Sequence, residues 1–558
     1  MSKLKPNKLQ KLIYTILQSK MKRLLVLAIT FVLFVASIAL IPTEIVKAKM
    51  LPGKNSDTFS IYVDLPEGSS LVKTKEVTTC IAKELQKEDV ITSISVFLAE
   101  GLPLDFAGMV KGSALKSGDN IAEIMVNIKR ATNREEQSYN LVHRIRPLIQ
   151  NRCSVNNANI KFIELPAGPP VLADVVAEVY GGDSFKNRLK FSNKIASVFA
   201  RQKTLVDIDV LADQPYKKYS LKLNNNKVLR SEVSLSQVKK ILYLAFEGMS
   251  VGVINEANAQ NQIPIFLRLD DSRLFNSFSK EDVLSKLSNL KLMNKRGMMI
   301  PLSEFVIIKE EIQEPTITSK NLNHMINVIA QTDMDSQIYP LLDARNYMLE
   351  NFSNEYEVSK TNLLNLSFRD KKTGELFTVD FDGELKVTID TFIELGGAFI
   401  GALVLIFLLM VVYYKNFALS GAIVLASFIS IIGVILGHLV MDIITQNTFY
   451  LTATSLIGFI ALIGINSRNS LLIIDFAQQL IFEKNMDAST AISVATATRA
   501  KPILLTVLAI VFASSLLALD AVFGGLGVAL IGGTLIAYFV SLFFVPISIL
   551  KSLSRLEK

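Results

Sequence analysis

The sequence predicts an α+β membrane protein: a bundle of six transmembrane helices that carries one large water-soluble part built from ferredoxin-like βαββαβ units. Three observations predict it. The 558 residues are 50% hydrophobic, more than an ordinary soluble chain, yet 20% charged, more than a pure membrane bundle. Six stretches are apolar and long enough to cross a bilayer, one near the N-terminus and five after residue 390. Between them, residues 43–390 contain no such run and switch between period-two and helical patterns.

Residues 1–23 form a basic leader with Lys3, Lys5, Lys8, Lys11, Lys20, Lys22 and Arg23, and residues 24–42 form the first span. A basic flank before a span places the N-terminus in the cytoplasm. The leader is long for a signal peptide and Val46-Lys47-Ala48-Lys49 is a poor small-residue cleavage site, so a retained helix is expected.

Residues 59–65 alternate apolar and polar, 70–86 have helical spacing and 90–97 read as a strand. A strand at 121–128, a helix at 135–150 and a strand at 159–165 complete the order βαββαβ within a unit at 43–170. A second unit at 171–390 starts with a strand at 175–180, a helix at 183–201 and a strand at 205–211. An insert rich in Asn and Asp interrupts it at about 248–290, after which 299–311, 324–331 and a helix at 335–351 complete it. Cys80 and Cys153 have neither close spacing nor metal-ligand spacing; they read as ordinary thiols, with a disulfide as the alternative.

The bundle resumes over 391–550, with spans at 396–414, 417–440, 449–477, 503–519 and 522–550 and a tail at 551–558. Lys415, a basic loop over 484–501, and Lys551, Arg555 and Lys558 then share the side of the N-terminus, so the soluble part lies opposite the cytoplasm. Gly397 with Gly401, and Gly525 with Ala529 and Gly533, are small residues four apart that let helices pack closely.

The net charge of +8 clusters beside apolar segments, where topology accounts for it, so nucleic acid is set aside as a partner. Three scattered histidines give neither a metal site nor a catalytic triad, and the absence of a nucleophile motif or phosphate loop argues against an enzyme. Met298-Met299 read as packing residues.

The most telling stretch is 452–479, an apolar run broken by Asn466-Ser467-Arg468-Asn469-Ser470. A helix rises about 1.5 Å per residue, which puts Arg468 near mid-membrane, where a charge faces a partner or a wet cavity. Asn466, Asn469 and Ser470 share its turn and suggest one polar intramembrane site.

The string Gly-Ile-Asn-Ser-Arg-Asn-Ser-Leu-Leu-Ile-Ile-Asp-Phe resembles the tenth membrane helix of resistance-nodulation-division (RND) efflux permeases. Ala500-Lys501-Pro502-Ile503-Leu504-Leu505-Thr506 resembles the start of the eleventh, and Phe543-Phe544-Val545-Pro546 the end of the twelfth. Met50-Leu51-Pro52, Leu65-Pro66-Glu67-Gly68, Gly168-Pro169-Pro170 and Ile300-Pro301-Leu302-Ser303 match in the soluble part, so the resemblance covers nearly the whole chain.

That resemblance implies a periplasmic domain of two porter subdomains with a docking insert, and a pump of amphipathic or heavy-metal substrates driven by the proton motive force without a cofactor. It implies proton-relay roles for Arg468, Thr506, Arg499 and Asn469; Asp475, seven residues after Arg468, either lines the same path or is a helix-end charge. In the family a cation like Arg468 faces two aspartates on the fourth helix. Here no span holds an Asp-Asp pair, since Asp442, Asp475 and Asp520 are single. The chain matches only the second half of such a permease. The expectation is a C-terminal half in the inner membrane of a Gram-negative bacterium, contacting membrane lipids and assembling with a separately encoded N-terminal half. The resemblance further implies a trimeric assembly with a periplasmic adaptor and an outer-membrane channel. A non-transporting scaffold and a homo-oligomeric relative are the alternatives.

Overall fold

The computed structural model describes residues 7–104, 106–113, 116–165, 168, 170–259, 262–269, 279–362, 364–445 and 448–555; Lys3, Lys5, Pro169 and Lys558, named above, lie outside them, as do parts of the expected insert and tail. Helix α1 (Lys8–Gln18) forms because Leu9, Ile13, Ile16 and Leu17 share one face, and that face packs on the bundle. Ser19 then leaves helical geometry (φ −99°, ψ 117°) and its hydroxyl caps α2 (Lys20–Ala39).

The first α+β domain contains β1 (Thr58–Asp64), α3 (Leu71–Leu85), β2 (Ile91–Glu100), α4 (Phe106–Lys111), β3 (Ser117–Ile128), α5 (Ser138–Cys153) and β4 (Asn159–Glu164). Its antiparallel sheet runs β2-β3-β1-β4, the order of a split βαββαβ unit. Val77, Ile81 and Leu85 of α3 and Leu141, Ile145 and Ile149 of α5 bury against Ile61, Ile124 and Phe162 of the sheet. Cys80 and Cys153 form a disulfide that ties α3 to the end of α5, Cα to Cα 5.7 Å. This corrects the ordinary-thiol reading: the sheet brings together two helices whose cysteines are 73 residues apart.

The second domain begins with β5 (Val175–Gly181), α6 (Phe185–Phe199) and β6 (Leu205–Leu211). An inserted unit follows: β7 (Lys217–Leu223), α7 (Asn225–Arg230), α8 (Leu235–Phe246), β8 (Met249–Ile254), β9 (Ile263–Leu267), α9 (Lys280–Asn289), β10 (Lys291–Met293), β11 (Met299–Pro301) and β12 (Val306–Ile312). The domain resumes with β13 (Thr318–Lys320), β14 (Asn323–Thr332), α10 (Ile338–Asn351), β15 (Tyr356–Lys360), β16 (Leu366–Asp370) and β17 (Leu376–Asp382). The main sheet runs β13-β14-β5-β17-β16-β15, with β6 also on β14.

The insertion is larger than 248–290. Strand β12 pairs with β7 from Val306 opposite Leu223 to Ile312 opposite Lys217, and the unit has its own core of Val228, Val238, Leu287, Leu302 and Phe305. Residues 299–311, expected to complete the second domain, belong to this insertion, and β14 and β17 complete the sheet instead. Met298 and Met299 are exposed, not packed.

The bundle comprises α2, α11 (Glu384–Tyr414), α12 (Phe417–Ile429), α13 (Ile431–Thr445), α14 (Ala453–Lys484), α15 (Ala488–Leu517), α16 (Gly524–Phe539), a π segment (Val540–Phe544) and α17 (Val545–Leu553). Helices α12 and α13 form one span broken at Ser430, and α16, the π segment and α17 form another; among the described residues six spans are long and apolar enough to cross a membrane. Helix α15 starts at Ala488 rather than at 503, so the expected basic loop over 484–501 shrinks to the connector 485–487.

Glycine sets the closest helix contacts. A Cβ on Gly433 of α13 would fall 2.2 Å from Gly532 O of α16, and one on Gly533 would fall 2.1 Å from Leu462 Cδ1 of α14. Gly397 and Gly401, by contrast, have open space beside them and support no contact within this chain.

Candidate functional site

Helix α14 has two unlike faces. Ile457, Ala461, Gly464 and Arg468 recur every three or four residues along an exposed stripe. Among the described residues Arg468 makes no hydrogen bond or ion pair. Asn466, Ser467, Asn469 and Ser470 turn the other way and are buried. The single polar site expected around Arg468 is therefore split across the helix: at about 100° per residue, the cation faces out and the amides and hydroxyls face in.

The inner layer joins two irregular spans. Ser430 N bonds Ser427 O in the tighter i−3 pattern where α12 breaks, and Asn466 Nδ2 donates to Ala426 O at 2.6 Å in that last turn. Asn466 Oδ1 accepts from Ser541 Oγ at 3.3 Å, inside the π segment. Ser427 and Ser467 hydroxyls meet at 3.2 Å. Asn469 Nδ2 and Ser470 Oγ are buried without a partner among the described residues.

The other expected relay residues stand apart. Thr506 is exposed and its hydroxyl donates to Ile503 O of its own helix at 2.8 Å. The Arg499 guanidinium stacks 5.0 Å above the Phe476 ring, with Nε buried and unbonded. Asp475 accepts from Tyr414 Oη at 2.6 Å, which ties α14 to the end of α11. Among the described residues no hydrogen bond or ion pair joins any two of Arg468, Asn469, Asp475, Arg499 and Thr506.

A second candidate, invisible in the sequence, is a cavity of about 230 Å³ where both α+β domains meet the membrane helices. Its lining runs from Lys49 to Tyr450, so no short motif marks it. Tyr139, Phe162 and Tyr450 supply aromatic faces, and Lys111, Glu164 and Glu384 supply charge. Lys111 Nζ donates to Leu172 O at 3.3 Å, and burial lowers its pKa. A third of the Glu164 side chain opens to the cavity, but protein lines most of that space; burial pushes its carboxyl up to about 7, the Arg146 guanidinium at 4.0 Å only partly opposing this. Arg146 is engaged elsewhere, by Asp333 at 2.6 Å and Asp207 at 3.3 Å. Aromatic walls with a few convergent charges suit an amphipathic solute.

Among the described residues no group of three or more His, Cys, Asp or Glu is placed to hold a metal ion.

A sequence profile described as the AcrB/AcrD/AcrF family matches residues 1–550. The toluene efflux pump membrane transporter TtgB of Pseudomonas putida is 22% identical over 545 residues, covering 96% of this chain and 47% of the relative. The multidrug resistance protein MdtC of Photorhabdus laumondii is 22% identical over 431 residues, 76% of this chain and 38% of the relative. A crystal structure of a heavy metal efflux pump superposes with a TM-score of 0.70 at 17% identity, covering 98% of this chain and 52% of that one; this likeness shows the fold. The chain spans about half the length of the curated relatives it matches.

Proposed function

This chain belongs to the AcrB/AcrD/AcrF family of efflux transporters, and from that premise we propose that it is the second half of an RND permease, completed by a separately encoded first half. Arg468 carries this reading. A guanidinium held near mid-membrane on an open, otherwise apolar stripe needs an anion, and a partner bundle is the surface that would bring one. A carboxylate pair on that bundle, held ionised by Arg468, would take up protons whenever the two helices separate. The proton motive force then drives export of amphipathic small molecules, without an organic cofactor.

In this reading the two α+β domains are periplasmic porter subdomains, the unit from β7 to β12 is the docking segment, and the cavity beside Glu164 admits solute. Lys415, Lys484, Arg499, Lys501, Lys551 and Arg555 lie at the bundle end remote from those domains, which supports an inner-membrane protein with both chain ends cytoplasmic. Thr506 lies on the open side of α15, where it can exchange its bond to Ile503 for water, and Arg499 stands nearer the cytoplasmic mouth. Asn469, on the inner side, offers an unfilled amide to a water chain; Asp475, held by Tyr414, fixes the end of α11. Three such pairs, a periplasmic adaptor and an outer-membrane channel complete the assembly.

The test is affinity recovery of the tagged chain from gently solubilised membranes, with mass spectrometry of what accompanies it. A half-length partner bearing an intramembrane Asp pair supports the reading. Recovery of the chain alone, or only with copies of itself, overturns it.

A further inference from the structure

The leader helix presents a surface that the bundle leaves unused. Through residue 43 the chain carries Lys3, Lys5, Lys8, Lys11, Lys20, Lys22 and Arg23 and not one Asp or Glu. One side of α1, through Ile13 and Leu17, is buried in the core that holds Ala488, Ala491, Ile492 and Ala495 of α15. The opposite side exposes Lys8 and Lys11 with Leu12 and Tyr14 flanking them. The start of α2 repeats the mixture, with Lys20 and Lys22 exposed beside Met21, which is 83% exposed, and Leu24.

None of Lys8, Lys11, Lys20, Lys22 or Arg23 has an ion pair among the described residues, and Arg23 Nε is buried without a hydrogen-bond partner there. This surface lies at the bundle end remote from the α+β domains, because α2 leaves the opposite end towards Ala48, which bridges Leu451 before α14.

Topology alone explains a cation count, but not ammonium groups interleaved with exposed leucine, tyrosine and methionine on a helix whose other side the protein already covers. In water that mixture exposes apolar area for nothing; in the headgroup layer the cations meet phosphate while Leu12, Tyr14 and Met21 enter the acyl boundary. An acidic protein surface would satisfy the lysines and leave those three side chains without a role.

We propose that α1 and the first turn of α2 bind anionic phospholipid headgroups, whose phosphodiester oxygens accept from Lys8, Lys11, Lys20, Lys22 and Arg23. The inference goes beyond the efflux reading, since it requires neither a partner half nor proton coupling.

The test is native mass spectrometry of the full chain released from mixed micelles containing equal phosphatidylglycerol and phosphatidylcholine. The unmodified chain should retain phosphatidylglycerol preferentially, and raising the ammonium acetate concentration should strip that lipid and spare phosphatidylcholine. With each cation near an anionic surface worth about fivefold, the combined change Lys8→Gln, Lys11→Gln, Lys20→Gln and Lys22→Gln should cut phosphatidylglycerol retention by at least about tenfold. Equal retention of the two lipids by the unmodified chain, insensitivity to salt, or unchanged retention by the fourfold variant overturns the proposal. Should the variant fail to fold, the salt titration of the unmodified chain decides alone.

Discussion

The α+β domains and the membrane bundle treat their cations differently. In the soluble part Arg146 closes on Asp333 and Asp207, and Lys161 on Asp64 at 2.5 Å and on Asp209. Arg188 and Arg345, also buried, donate to the backbone oxygens of Gly181 and Leu364. In the bundle Arg468 closes on nothing among the described residues. The helices divide in the same way: the apolar window of the α12–α13 span is 67% buried, those of α2 and α11 only 6%. A single charge at mid-membrane is costly, because lipid offers it no counterion. The α+β domains thus answer their buried cations from within, while the bundle leaves Arg468 and the outer faces of α2 and α11 open within this chain.

The sharpest way to break that contrast is Arg468→Ala. On the proposed split-pump reading, proton-coupled export should disappear, whereas thermal melting of the solubilised chain should move by no more than about 0.5 kcal/mol, because no contact within the chain is lost. A large loss of stability would show that Arg468 is paired internally. Glycines sharpen it next. Gly533→Leu, driven into Leu462, should destabilise the bundle by about 3 kcal/mol or more, and Gly401→Leu, beside open space, should be neutral until a partner binds; denaturation with and without partner separates the two.

In the soluble part, replacing both Cys80 and Cys153 by Ser should cost the first domain about 2–5 kcal/mol, read as the shift in its urea midpoint. Asn466→Ala should cost about 1–3 kcal/mol by leaving Ala426 O and Ser541 Oγ without their partner, again by melting. The smallest effect is Glu164→Gln. Burial raises the Glu164 carboxyl to about 7 in the folded state, so the native state holds a proton that the unfolded chain releases at its ordinary, lower value. The unmodified chain should therefore lose stability relative to the Gln variant as pH rises from about 5 to about 8, and parallel melting curves across that window would refute the shift.

Much of this is legible in order and period. The first βαββαβ pass reads from alternation alone, because strands such as β1 put one face on the core. The span holding Arg468 reads from length and a polar interruption. Direction does not: Arg468 and Asn469 are neighbours in sequence and point about 100° apart on α14, one exposed and the other buried, and only the packing of α12 and the π segment decides which is which. Helix α15 reads short because Ala488–Lys501 carries Ser, Thr and Arg, which hydropathy scores as loop. The insertion reads small because β7 finds its partner in β12, far along the chain. The cavity draws its lining from Lys49 to Tyr450 and leaves no local signature at all.

Helix α11 has one more property. Its first turns belong to the soluble part, where Leu385 sits in the second domain's core and Thr388 accepts from Gln337 Nε2 at 2.8 Å, and it runs unbroken to Tyr414 on the far side of the bundle. At about 1.5 Å per residue its 31 residues make a rigid lever of about 46 Å. A tilt of about 5° at the end tied to Asp475 would sweep the sheet end through about 4 Å with no hinge between to absorb it. A rearrangement of α14 that carried Tyr414 with it would reach the strand β17, and through it β5, at the centre of the second domain's sheet.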